Sequence, residues 1–151
     1  MSLLPRGYGL GNQVVRAAAT LPATTTSTLF TVAGGAVLIQ SLWGVVTTAC
    51  DATATTLAIG STPTSGTAGN AAIAAATAVT SKPIGTFYVP QWASEVGGTP
   101  ILANNVQAQS GSTASFLAFT GTITWTTSAT NAGQMKWYLS YLPVDAGATV
   151  A

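Results

Sequence analysis

The sequence predicts an all-β protein, an antiparallel β-sandwich or jelly-roll-like barrel with an extended N-terminal arm. Three observations carry the prediction. Gly121-Thr-Ile-Thr-Trp-Thr-Thr127 alternates strictly, with Ile123 and Trp125 on one side and threonines on the other, the period of a half-buried strand. The composition is rich in Ala, Thr, Gly and Ser with little Glu or Lys, which favours strands over helices. Finally, 16 glycines and 7 prolines divide the chain into short segments separated by turn signals, the rhythm of a sandwich or barrel.

A chain of 151 residues suits one domain. Residues 1–27 read as the arm. Gly7, Gly9 and Gly11 loosen its start, Leu21–Ser27 reads as an extended linker, and Val14–Ala19 is too short to stand alone as a helix. If the arm is ordered, a neighbouring molecule is expected to hold it. The sandwich domain spans 28–151.

Leu29–Val32 is a short strand, closed by a Gly34-Gly35 turn. Ala36–Thr48 follows, with large apolar residues on both alternating faces. One face carries Val37, Ile39, Trp43 and Val45, and the other Leu38, Leu42 and Val46. A strand apolar on both sides is buried on both sides, so one face is expected in the core and one at an interface. Gly44 is a candidate bulge or bend. Thr55–Gly60 is a strand and Ser61–Asn70 a loop. Ala71–Val79 is compatible with helix by its alanines, but its Thr and Val and its β surroundings argue against one. Ile84–Val89 is a strand ended by Pro90, and Gly97–Pro100 a turn. Gly121–Thr127 and Gln134–Leu142 are expected to form an antiparallel hairpin whose aromatics meet across the strands. Val144–Ala151 is a short tail with a turn.

The chain holds four Lys or Arg, three Asp or Glu and no histidine. Only 5% of its residues are charged, against roughly 25% in an ordinary soluble domain. A soluble monomer keeps apart from its neighbours by surface charge, so this chain is expected to pack against other copies or other chains. The same scarcity argues against an enzyme. Without histidine there is no Ser-His-Asp or Cys-His arrangement, and Asp51, Glu95 and Asp145 lie in three separate loops. No cofactor or metal is expected, since one cysteine and no histidine supply no zinc site of the usual kinds. Cys50 reads as a small buried hydrophobe, and Asp51 and Asp145 as turn residues. A net charge of +1 announces no nucleic-acid surface. The apolar stretch Ala33–Cys50 is too broken by Gly, Gln, Ser and Thr to span a membrane. No secretory leader is visible at the start, so the chain is expected to be made in the cytoplasm. Among four tryptophans, Trp43, Trp125 and Trp137 sit in strands at core-type spacing, while Trp92 sits in a loop. Expected contact residues are Arg6 and Arg16 of the arm, Leu38, Leu42, Trp43 and Val46 of the two-faced strand, and Trp92.

Three blocks carry a resemblance: Leu29-Phe-Thr-Val-Ala-Gly-Gly-Ala-Val-Leu-Ile-Gln-Ser-Leu-Trp-Gly-Val-Val-Thr-Thr48, Gly121-Thr-Ile-Thr-Trp125, and Met135-Lys-Trp-Tyr-Leu-Ser-Tyr-Leu-Pro-Val-Asp-Ala-Gly-Ala-Thr-Val150. Together they are similar to small structural proteins of tailed double-stranded DNA bacteriophages. The similarity covers roughly 29–60 and 116–151. It implies a virion protein on the capsid surface: a head decoration, or cement, protein that forms homo-oligomers, commonly trimers, on the major capsid protein. Arg6 and Arg16 would then meet an acidic capsid surface. The competing expectation is a tail or fibre module that binds host glycans through Trp92 and the Ser61–Asn70 loop.

Overall fold

A computed structural model describes residues 11–64, 71–90, 101–104 and 115–151. The described residues contain strands and no helix. In chain order the strands are β1 (Asn12–Thr20), β2 (Thr26–Ala33), β3 (Val37–Thr48), β4 (Thr56–Pro63), β5 (Ala71–Ala78), β6 (Thr86–Val89), β7 (Ile101–Asn104), β8 (Phe116–Ala118), β9 (Gly121–Thr127), β10 (Gln134–Pro143) and β11 (Thr149–Val150). They form two antiparallel sheets. The first runs β1-β10-β3-β6-β7, with β8 also paired to β3; the second runs β11-β2-β9-β4-β5. The expected sandwich is present, and its two sheets do not close into a barrel. At twelve residues β3 is long enough to hold two neighbours on one side, β8 along Val37–Ile39 and β6 along Gly44–Val45.

The core lies between the sheets. Trp125 of β9 and Trp137 of β10 meet there edge to face, with ring centroids 6.0 Å apart and planes at 87°. Tyr88 of β6 packs its ring against Trp137 at 5.6 Å and donates its hydroxyl to the Leu57 carbonyl of the opposite sheet. Leu29, Phe30, Ile39 and Leu42 fill the space around them.

Three expectations are corrected. The segment 12–20 is not an arm awaiting a neighbour, nor does it hold a helical turn. It is β1, paired with β10 of its own chain from Asn12↔Tyr141 to Thr20↔Gln134. Its β-branched pair Val14-Val15 and small alanines suit a ladder, and β10 offers a free edge. The domain therefore begins before residue 28. Second, β9 and β10 are not a hairpin. The connection 128–133 carries the chain from one sheet to the other, so Trp125 and Trp137 meet across the core and not across a ladder. The expected Gly34-Gly35 turn is present, and it likewise changes sheets, between β2 and β3. Gly35 takes φ 140°, and the Asp145 side chain sits where a Cβ would be.

The third correction concerns the faces of β3. The pairing steps from Ile39↔Tyr141 to Ser41↔Ser140, so Gln40 is an extra residue on β3. One bulged residue flips every side chain beyond it to the other face. Val37 and Ile39 point inward before it, and Leu42, Gly44 and Val46 point inward after it. Leu42 and Val46 thus belong to the core, at 0% and 2% exposure, and are not interface residues. Gly44 is not the bulge. It faces Trp137 across the ladder, and a Cβ there would lie 3.0 Å from the indole.

Candidate interface surface

Flipping the second half of β3 collects its outward residues with those of β10 and β6. Trp43 lies opposite Tyr138, and the two rings stack with centroids 4.0 Å apart and planes at 11°. Phe87 of β6 approaches Trp43 at 5.8 Å, tilted by 50°. The Lys136 ammonium lies 5.2 Å from the Tyr138 ring centroid, a cation–π contact. Val15 of β1, 47% exposed, pairs with Tyr138 from the sheet edge. Along the same face Leu38 pairs with Leu142 on one side and with Leu117, 48% exposed, on the other. The outer face of the first sheet is therefore mainly apolar and aromatic and is centred on Trp43 and Tyr138, with the hydrogen-bonded pair Ser41 and Ser140 between these rings and Leu38 and Leu142. All three rings are half-buried.

The outer face of the second sheet is different. Its cross-strand pairs are Thr26↔Thr126, Thr28↔Thr124, Thr31↔Thr122 and Thr62↔Thr122. Thr26 and Thr126 share a hydroxyl–hydroxyl hydrogen bond of 2.7 Å. One broad face presents hydroxyls and methyls, and the other presents rings and aliphatic chains.

Arg16, Asp51 and Asp145 are engaged inside the chain. Arg16 is half-buried and donates to the carbonyls of Thr28 and Leu29 at 2.6 and 2.7 Å, with its guanidinium 5.7 Å from the Trp125 ring centroid. Its assignment to an acidic partner surface is corrected accordingly. The register of β2 on β9 shifts at these same residues, between Thr28 and Phe30, and Arg16 takes their carbonyls from the opposite sheet. Asp51 accepts from the Thr53 and Ala132 amides at 2.8 and 2.9 Å. These bonds, that to Ala132 first, hold its carboxyl below the usual value. Asp145 accepts from the Ala36 amide at 2.7 Å and closes the Gly34-Gly35 crossing. Both carboxylates tie turns, as their loop positions suggest, but each ties a partner far along the chain. Cys50 is buried; desolvation first, and then the Asp51 charge, push its thiol up. Among the described residues no group of three or more His, Cys, Asp or Glu could hold a metal.

Of the seven expected contact residues, Leu38 and Trp43 lie on the outer face, Leu42 and Val46 in the core, and Arg16 between the sheets. Arg6 and Trp92 lie outside the described residues, as do Glu95 and most of the Ser61–Asn70 loop. Sequence reasoning missed Tyr138, Phe87 and Val15 as outer-face neighbours of Trp43. Their signal was weak, because only the bulge at Gln40 brings Trp43 to their side. No protein family, curated protein or solved structure matches this chain.

Proposed function

We propose that this protein is a structural assembly protein, and specifically a head decoration protein of a tailed double-stranded DNA bacteriophage that reinforces the capsid by burying surface. The observation that carries the reading is the apolar outer face of the first sheet in a chain with so few charges. A face of that kind marks a protein contact, since monomers rarely leave a large contiguous apolar patch in water. At about 25 cal/mol per Å² of apolar area, a modest contact repeated over many copies adds up to substantial reinforcement. The capsid itself, the trimer and the major capsid protein as partner come from the resemblance of the strand blocks.

The test is addition of purified protein to phage heads that lack decoration, followed by image reconstruction. Stoichiometric density on the head surface is the expected result. Bare heads, together with specific sugar retention on a glycan array, would overturn it in favour of a tail or fibre module.

A further inference from the structure

We infer that the outer face of the first sheet is the surface through which a second copy of this chain docks. The inference rests on the assembly reading and names the surface and its occupant. Four strands, β1, β10, β3 and β6, lie side by side across this face. With strands about 4.8 Å apart and about 3.4 Å per residue along ten-residue β10, the footprint is on the order of 600 Å² before side-chain relief is added. A standard interface buries about 800 Å² per partner, so this one face nearly meets that area. At its centre are the stacked Trp43 and Tyr138, the residue types that anchor interfaces most often.

Charge selects the occupant. Among the described residues Lys136 is the only charged side chain of this face, and it lies over Tyr138. A polyanion would find one cation there, too few for a nucleic-acid surface. A second copy brings an equally neutral face and meets little repulsion. The Thr-rich face of the other sheet can remain in water.

The alternative route to self-association, strand addition at a sheet edge, is obstructed. The long edge strands β1 and β5 both carry register shifts, between Arg16 and Ala19 and between residues facing Leu57, Ile59 and Gly60. The edge strands β7 and β11 span only four and two residues. Bulges and shortness are two of the devices that keep an edge from templating another strand.

The experiment is sedimentation of the full chain at micromolar concentrations, comparing the wild type with the double variant Val15→Glu, Leu117→Glu. Both positions are about half exposed, so a charge there is compatible with the fold. Thr31→Glu on the opposite face is the control. The wild type is expected to self-associate, the double variant to weaken association by about 100-fold, and the control to leave it unchanged. A monomeric wild type, or a double variant that associates as tightly as the wild type, overturns the inference. If the double variant loses its near-ultraviolet circular dichroism, the wild type alone decides. Hydroxyl-radical labelling of Trp43 and Tyr138 should rise on dilution, and labelling independent of concentration overturns the inference. Binding to undecorated heads is scored on the same samples. A chain that associates through this face but leaves heads bare refutes decoration and keeps the interface; one that coats heads as a monomer does the reverse.

Discussion

At the scale of single residues, two buried positions, one on the threonine face of β9 and one in the core, show how little slack the packing has. Thr124 sits at the centre of β9 on its threonine side, yet it is only 4% exposed, and its hydroxyl has no hydrogen-bond partner. A buried hydroxyl without a partner costs about 1–3 kcal/mol of desolvation. Thr124→Val keeps the shape and removes the oxygen, so urea unfolding should show a gain of about 1 kcal/mol. Gly44 is the opposite case. A methyl there meets the Trp137 indole at 3.0 Å and the end of Met135 at the same distance. The methionine can move, but the indole is wedged against Trp125 and Tyr88. Gly44→Ala should therefore destabilise by about 1–3 kcal/mol through overpacking. Its near-ultraviolet circular dichroism should change as the Trp137 ring shifts.

At the scale of elements, the two sheets are joined by polar ties as well as by the core. Arg16 is the tie at the β1 edge, reaching two carbonyls of β2 with one nitrogen. Lysine carries the charge without the planar fork and cannot stack on Trp125 in the same way. Arg16→Lys should cost about 1–2 kcal/mol in thermal or chemical unfolding, a loss expected of hydrogen bonds to a charged, half-buried group. Asp51 is the tie between the 49–55 segment and the β9–β10 connection, helped by Asn131, whose side-chain oxygen accepts from the Asp51 and Gly133 amides. Its folded pKa lies below the ordinary 3.8. The stability it contributes is thus fully present above that value and is lost as pH falls through the lower folded one. Melting of the wild type should fall more steeply than that of Asp51→Asn below pH 3.8, and the two curves should run parallel above it.

At the scale of the whole molecule, the scarcity of charge has a thermodynamic signature. Arg16 is bound to carbonyls and an indole, Lys136 lies over a phenol ring, and Asp51 and Asp145 accept from backbone amides. None of these contacts sets two opposite charges in solvent where salt would screen them. Melting temperature measured from low to high sodium chloride should stay flat, unlike that of a protein laced with surface ion pairs. Edge protection follows the same economy: bulges and short strands do what lysines do on the edges of charge-rich sheets.

The all-β class and the strands at 29–32, 55–60, 84–89, 121–127 and 134–142 were legible because a two-residue period and turn residues are local signals. The burial of Trp125 and Trp137 was legible for the same reason. Partnership between strands was not. Local alternation gives the same pattern whether β9 and β10 pair in one ladder or face each other across a core, and only the packing of Trp125 on Trp137 decides between them. The arm became β1 because β10, more than a hundred residues later, offers it an edge. The candidate surface turned on Gln40 alone. One unpaired residue reverses the sides of β3, so alternation put Leu42 and Val46 outside and gave Trp43 the company of Val37 and Ile39. A bulge is a mismatch between two strands, and it has no existence until both strands are in place.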